Sequence, residues 1–179
     1  MPTILPPIGQ RLLRRPATLA STAPTSSSPL AVRVRRAELS DLDDLVALEQ
    51  HTFSSDRLSR AQYRRHLDSD TAQVLIARAD QRHFLGTAVL FFRKGSGVAR
   101  LYSLASQPDA RGMGVGSALL DAAESAARQH RCRALRLEVR VDNAAAIRLY
   151  EQRNYRRIGH YPHYYEDRAD AWRYEKALG

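Results

Sequence analysis

Three alternating glycines stand directly before an alanine- and leucine-rich helical run in the segment ARGMGVGSALLDAAE, residues 110–124. Glycine costs about 1 kcal/mol relative to alanine inside a helix, so Gly112, Gly114 and Gly116 indicate a turn with a special requirement. The start of a helix offers unused backbone N–H groups and the positive end of the helix dipole, which favour an anion. Arg111 adds a charged donor beside the turn. The segment therefore predicts either a phosphate-binding turn or a tight turn that lets the helix pack closely.

The spacing of these glycines differs from two common nucleotide-binding motifs. No Gly-Lys-Ser or Gly-Lys-Thr occurs in the turn, so it is not a P-loop. The pattern is G-x-G-x-G, whereas dinucleotide-binding folds use G-x-G-x-x-G. The class of ligand therefore has to be inferred from the surrounding sequence.

Length and cysteine content limit the kind of protein this chain can form. Its 179 residues suit one domain with a core large enough to fold alone. No stretch approaches eighteen consecutive apolar residues, so we expect no transmembrane helix and no membrane partner. Cys132 is the only cysteine in the sequence, which excludes an intramolecular disulfide and argues against a cysteine-based metal site. A reducing, cytoplasmic location is the expectation.

The formal charge of +9 is concentrated at the beginning of the chain. Residues 1–37 contain six arginines and no acidic residue. The remainder has 22 basic and 19 acidic side chains, which leaves +3. Because the basic character belongs to this first segment, nucleic acid is not the expected partner.

Residues 1–31 read as a leader outside the folded domain. The run PATLASTAPTSSSPLA is rich in Pro, Ser, Thr and Ala and buries too little apolar surface to offset its ordering entropy. We expect a disordered leader followed by a domain over residues 32–179. Two alternatives stay open, an organelle transit peptide, because the leader is Arg-rich and lacks acids, and an upstream start codon.

Strand-like and helix-like segments alternate along the rest of the chain. Apolar periodicity, together with capping signals at Ser40 and Ser59, predicts four helices. The predicted helices are 40–53, 59–69, 115–130 and 142–154, and the predicted strands are 32–39, 72–79, 84–93, 97–106, 134–141, 155–161 and 170–178. The order βααβββαβαββ indicates an α/β fold of helices around one mixed sheet.

Two segments resemble motifs of the GNAT acetyltransferase superfamily. LASQPDARGMGVGSALL is similar to the family's acetyl-CoA-binding motif, Arg/Gln-x-x-Gly-x-Gly/Ala, which Arg111, Gly114 and Gly116 satisfy. LEVRVDNAAAIRLYEQRNY is similar to a second family motif at the appropriate distance. The resemblance covers about residues 32–179. It implies a single GNAT-like domain whose central strand pair splays at Leu104–Ser106.

The same resemblance implies acetyl-CoA as the acetyl-donor co-substrate. Its pyrophosphate would lie on the amides of residues 112–117, and its thioester carbonyl would accept a hydrogen bond from an amide of the splayed strand. The residues implied in cofactor binding are Leu104, Ser106, Arg111, Gly112, Met113, Gly114, Val115, Gly116, Ser117, Asn143 and Ile147.

Acetyl transfer to an amine requires removal of a proton from the ammonium and protonation of the departing thiolate. By the resemblance, Glu138 is the general base, acting through water, and Tyr150 is the general acid. Each has an alternative interpretation. Glu138 could be a solvated or arginine-paired strand carboxylate, and Tyr150 could be a half-buried packing aromatic.

Asn143, Ile147 and Tyr150 follow the spacing i, i+4 and i+7, so they share one helix face. This places an amide and a phenol along the same cofactor, although Asn143 could also be an N-terminal cap. His160 and His163 have no evident third ligand, and we expect no metal.

Within the superfamily, the sequence is most similar to bacterial ribosomal-protein-alanine and related protein N-terminal acetyltransferases. FSSDRLSRAQYRRHL (53–67) and YYEDRADAWRYEK (164–176) carry this resemblance, with departures at Asn154 and Arg168, where relatives often have glycine. A peptide N-terminus would fit an aromatic-lined groove. Its candidate residues are Phe53, Leu58, Tyr63, Tyr161, Tyr164 and Tyr165, with ordinary core packing as the alternative.

Three classes of function remain open at this point. The first is an N-acetyltransferase that acetylates the α-amine of a protein or peptide. The second is a GNAT enzyme that acetylates a small-molecule amine, and the third is a non-catalytic acyl-CoA-binding module. The first is the expected function.

Overall fold

The structure, a computed structural model, describes residues 31–53, 57–80 and 83–179. The predicted leader therefore lies almost wholly outside the described residues, as does part of segment 53–67. The strands are β1 Arg33–Arg36, β2 Ala72–Arg78, β3 Phe84–Phe91, β4 Val98–Ser106, β5 Ala134–Arg140, β6 Arg156–Tyr161 and β7 Ala171–Ala177. The helices are α1 Leu42–Thr52, α2 Arg60–Leu67, α3 Val115–Gln129 and α4 Ala144–Gln152. The predicted order of elements is confirmed.

The seven strands form one sheet in the order β1-β2-β3-β4-β5-β7-β6. All neighbours are antiparallel except β4 and β5, which run parallel. Helices α3 and α4 contribute to the core on one face, and α1 and α2 contribute to a second core on the other. No helix of the described residues is long and apolar enough to cross a bilayer.

The parallel pair at the centre of the sheet separates part-way along its length. Register between β4 and β5 ends at Leu101 and Leu137, whereas β4 stays paired with β3 as far as Ser106. Tyr102 is skipped in the register with β3 and forms a bulge at the same point. A bulge bends its strand and increases the local twist, which turns the end of β4 away from β5. The predicted splay is confirmed, and it opens directly after Leu101.

The N-terminal cap of α1 differs from the prediction. A 3-10 turn over Leu39–Asp41 precedes the helix, so Ser40 lies inside that turn and Asp41 occupies the cap position. The Asp41 carboxylate accepts the Glu38 N–H at 2.8 Å and hydrogen bonds from Arg35. The Asp41 side chain makes no capping hydrogen bond to α1, because its carboxylate closes the 3-10 turn, and the helix begins only after that turn. Ser59 caps α2 as predicted.

Candidate active site

A cavity of about 630 Å³ lies between the end of β4, the start of α3 and the start of α4. It adjoins the gap that the separation of β4 and β5 opens. The sequence-predicted site residues on its wall are Leu104, Ser106, Arg111, Gly112, Gly114, Val115, Gly116, Ser117, Asn143 and Tyr150. Three other predicted residues, Met113, Ile147 and Glu138, do not line it.

The glycine turn places the first amides of α3, which have no acceptor within the helix, at the wall of this cavity. Gly114 is the N-cap of α3 with φ +76°, a left-handed conformation that glycine adopts without strain. The first intrahelical donor is Ala118 N–H, which reaches the Gly114 carbonyl at 2.9 Å. The amides of residues 115–117 precede that bond and so have no acceptor within the helix. Met113 N–H differs, because it donates to the Ala110 carbonyl at 3.3 Å.

The glycines of the turn serve two different purposes. A Cβ atom on Gly116 would lie 3.1 Å from Leu149 Cδ2, so this glycine lets α3 approach α4 closely. A Cβ atom on Gly112 or Gly114 would meet no described atom within 4 Å, and both residues have positive φ. These two therefore leave open space beside the helix amides. The close-packing interpretation applies to Gly116, and the phosphate-binding interpretation stays a prediction for Gly112 and Gly114.

Tyr150 reaches the cavity from α4 and is 1 % exposed. Its ring packs beside those of Tyr155 and Tyr174, with centroids 5.7 and 6.5 Å away. Asn143 does act as the N-cap of α4, since its Oδ1 accepts the Ala146 N–H at 3.1 Å, and it also lines the cavity. Ile147, on the same helix, packs against the core instead.

Glu138 lies on β5, is 2 % exposed and is held by two arginines. Its Oε1 accepts a hydrogen bond from Nε of Arg173 at 2.9 Å, and its Oε2 accepts one from Nε of Arg100 at 3.0 Å. Nη2 of Arg100 also donates to the hydroxyl of Tyr164 at 2.7 Å. The arginine-paired interpretation describes these contacts, while the role of Glu138 as a base stays a prediction.

Comparison with known proteins assigns the fold and the turn to a family. The family model for the acetyltransferase (GNAT) family matches residues 40–155. The chain belongs to the GNAT family. It is therefore an acyltransferase, as the sequence predicts.

Individual relatives agree with this assignment. The chain is 28 % identical over 137 residues to a putative ribosomal protein bS18-alanine N-acetyltransferase of Bacillus subtilis, covering 76 % of this chain and 89 % of the relative. It is 26 % identical to Ard1 from Thermoplasma volcanium, with a TM-score of 0.71 over 82 % of this chain and 97 % of that one. The NatC complex bound to Gag peptide and CoA is similar in fold, with a TM-score of 0.72, 22 % identity and coverage of 83 % and 99 %.

The loop between β6 and β7 of this GNAT domain brings two phenols near Glu138. Burial, and after it the charge of Glu138, raises the pKa of Tyr164 to about 12. Burial likewise raises the pKa of Tyr165, whose hydroxyl has no hydrogen-bond partner among the described residues. The Arg140 guanidinium lies 4.9 Å from the centroid of the Tyr165 ring. Both phenols therefore keep their protons at neutral pH.

The residues predicted to line one aromatic groove lie in different parts of the structure. Phe53 lines the cavity, but Leu58 and Tyr63 are buried in the core beneath α1 and α2. The Tyr63 hydroxyl donates to Oε2 of Glu49 at 2.8 Å, which is a structural contact. Nε2–H of His160 donates to Oδ2 of Asp170 at 2.8 Å, and no group of three metal-ligating residues occurs in the part of the chain described.

Sequence reasoning missed Arg100, Arg173 and Ser103. The two arginines lie on β4 and β7. The sequence predicts that both lie on strands, but only the strand register shows that both side chains are on the same face as Glu138. Ser103 lines the cavity and is 3 % exposed. A serine within an apolar strand is common, so its position alone carried no signal.

Proposed function

We propose that this GNAT protein is an acetyl-CoA-dependent N-acetyltransferase that moves an acetyl group to the α-amine of a protein or peptide. The observation that carries the proposal is one cavity whose wall holds the start of α3 with its unused amides, Tyr150, and the end of β4 beyond its pairing with β5. Acetyl transfer requires a binding site for the cofactor's pyrophosphate, a proton donor for the leaving thiolate and access for the amine.

The residues present fit acetyl-CoA. The amides of residues 115–117 lack acceptors within the helix, and Gly112 and Gly114 leave open space beside them. Arg111 on the same wall supplies a cation for a phosphate. The separated end of β4 would hold the thioester carbonyl through a backbone amide in the range 104–106. Acetyl-CoA supplies the activated acetyl group, and the chain orients it.

Two protons move during the reaction. The proposed acid, Tyr150, donates its phenolic proton to the thiolate that leaves, from a position where water is excluded by burial. The proposed base, Glu138, receives the proton of the ammonium through a water molecule. Each carboxylate oxygen has two acceptor sites. Arg100 approaches Oε2 through both Nε and Nη2, whereas Oε1 accepts from Nε of Arg173, so Oε1 keeps a site for that water.

A protein α-amine is the acceptor that the relatives favour. The matched Bacillus subtilis relative is named for acetylating the alanine of a ribosomal protein. Tyr164, fixed by its hydrogen bond from Arg100, offers a rigid aromatic surface near the proposed base, Glu138. Cys132 is buried and forms no disulfide, which fits a reducing compartment such as the cytoplasm as the proposed place of action.

The test is an acceptor panel with acetyl-CoA and mass spectrometry of the product. Peptides that begin with Ala, Ser and Met are compared with spermidine, free amino acids and an aminoglycoside. We expect acetylation of peptide α-amines. A peptide with a blocked N-terminus and an internal lysine is the matched control and should stay unmodified. Turnover confined to the small amines would contradict the proposed acceptor, and absence of any turnover would contradict the function.

A further inference from the structure

The hydroxyl of Ser103 is buried on the cavity wall without a partner. The side chain is 3 % exposed, and its Oγ makes no hydrogen bond within the described structure. Leaving a buried hydroxyl unsatisfied is unfavourable, and most buried polar groups in proteins are paired. A hydroxyl in this state beside a cavity is suited to a hydrogen bond that arrives with a ligand.

The register of β4 determines which side of the sheet Ser103 faces. Ser103 is opposite Val89 of β3, and Val89 packs in the core beneath α1 and α2. Leu104 is opposite Ala88, which packs in the core on the α3 side. Because opposed residues share a face of a sheet, Ser103 faces the α1–α2 side. The helix amides that suit a pyrophosphate lie on the opposite side, so Ser103 is remote from that part of the cofactor.

Glu138 faces the same side as Ser103 from the other strand. Its neighbours Leu137 and Val139 pack in the core on the α3 side, and side chains alternate along a strand. The last register pair of the two strands is Leu101 and Leu137. Beyond that pair, Glu138 is the next residue of β5, and Ser103 follows the bulged Tyr102 on β4. Ser103 and Glu138 therefore lie on one face, on the two strands, close to the point where β4 and β5 separate.

We propose that Ser103 is an acceptor-binding residue, an inference that rests on the proposed function. Its Oγ accepts a hydrogen bond from one N–H of the incoming amine, so that the nitrogen lone pair is directed at the thioester carbonyl. The bond that forms joins that nitrogen to the acetyl carbon, and the bond that breaks is the thioester bond. Ser103 exchanges no proton and forms no covalent bond.

Ser103→Ala tests this assignment, with Thr52→Val as its matched control. The Oγ1 of Thr52 is also buried without a partner among the described residues, but Thr52 does not line the cavity. We expect Ser103→Ala to raise the KM of the acceptor amine about tenfold, the scale of one lost hydrogen bond. Its acetyl-CoA affinity by calorimetry should stay unchanged, and its Tm should be equal or higher because an unsatisfied hydroxyl is removed. Thr52→Val should keep the wild-type KM.

The outcomes separate this inference from the function it rests on. A wild-type enzyme that acetylates peptides, together with a Ser103→Ala variant of unchanged acceptor KM, would overturn the role of Ser103 alone. A fall in Tm or in acetyl-CoA affinity that accounts for the activity loss would also overturn it, because the hydroxyl would then be structural. A wild type inactive towards every amine would overturn both.

Discussion

The Nε–H of Arg173 donates to Oε1 of Glu138 across 2.9 Å, joining β7 to β5. The other carboxylate oxygen accepts from Arg100 on β4, so Glu138 is tied to the strands on both of its sides. The contact with β4 lies next to the last register pair of β4 and β5. Glu138 therefore holds β4, β5 and β7 together beside the point where β4 and β5 separate. This structural role can be measured separately from its proposed role in proton transfer.

Replacing this carboxylate tests both roles at once. Glu138→Gln keeps the size of the side chain but leaves two guanidinium groups beside a neutral amide. We expect a loss of about 1–3 kcal/mol in the free energy of unfolding, below the full cost of a broken buried pair because the arginines are partly exposed. We also expect kcat/KM to fall at neutral pH and to recover partly at higher pH, where more of the acceptor amine is neutral. Denaturation curves and a pH–rate profile measure the two effects.

Glu175→Gln is the matched control for Glu138. Glu175 pairs with Arg136 across β7 and β5, with the Arg136 Nε donating at 2.8 Å, and its side chain is 28 % exposed. We expect a stability loss below about 1 kcal/mol, since more of this pair is solvated, and a wild-type pH–rate profile. A wild-type profile for Glu138→Gln as well would leave Glu138 with a structural role alone.

The phenol of Tyr150 can be separated from its ring. Tyr150→Phe keeps the packing against Tyr155 and Tyr174 but removes the proposed proton donor. We expect kcat to fall about 10²-fold while acetyl-CoA still binds. Tyr155→Phe is the control, because the Tyr155 hydroxyl donates to Glu124 at 3.2 Å away from the cavity. That variant should lose about 1–2 kcal/mol of stability and keep its kcat. Full activity of Tyr150→Phe would reduce Tyr150 to a packing residue.

The effect of a side chain on acetyl-CoA binding at the glycine turn can be separated from the cost of backbone strain. Gly114 and Gly95 have φ of +76° and +77°, and a Cβ at either would meet no described atom within 4 Å. Valine at each position should cost a similar amount of stability, about 1–2 kcal/mol. We expect Gly114→Val alone to weaken acetyl-CoA binding, by tenfold or more in calorimetry, because its side chain would occupy the space beside the helix amides. Equal affinities in the two variants would contradict the phosphate site.

Asp41 predicts a specific dependence of stability on acid. Burial raises the pKa of the Asp41 carboxyl, but hydrogen bonds from Arg35, the Glu38 amide and Arg78 outweigh it and hold that pKa below its usual range. A lowered folded-state pKa adds stability above the unfolded value, about 3.9, and this is lost as pH falls through the folded value. Asp41→Asn should therefore be less stable by about 1–3 kcal/mol at pH 7, with the difference from wild type shrinking below about pH 4.

Asp43→Asn is the control for that experiment. Asp43 is 83 % exposed and pairs with Arg60, which is itself 57 % exposed. Its replacement should change stability by less than about 0.5 kcal/mol at either pH. Chemical denaturation at pH 7 and pH 3 compares the two variants, and a pH-independent difference for Asp41→Asn would contradict the assignment.

Removal of the predicted leader tests the predicted domain boundary. Deletion of residues 1–30 should leave Tm and acetyl-CoA turnover nearly unchanged, because the described residues that form both core clusters and the cavity all follow it. Thermal unfolding and the peptide assay measure this. A large fall in Tm would contradict the predicted domain boundary, while leader-dependent import into an organelle would favour the transit-peptide alternative.

The sequence by itself determined the order of the elements and the position of the glycine turn at the start of α3. Both depend on interactions within a few residues: apolar periodicity sets the strands and helices, and positive φ at Gly112 and Gly114 is a local demand of the backbone. The start of α3 at Val115 follows from the same turn, as predicted. Ser59 was predictable as a cap because its partner, Gln62, is three residues away.

The tertiary structure decided what depended on partners distant in sequence. Asp41 replaced Ser40 at the start of α1 while pairing with Arg78, 37 residues later. Glu138 meets Arg100 and Arg173 at separations of 38 and 35 residues. No local pattern encodes such pairings, because they depend on strand register and on the bulge at Tyr102, which fix the faces that side chains share.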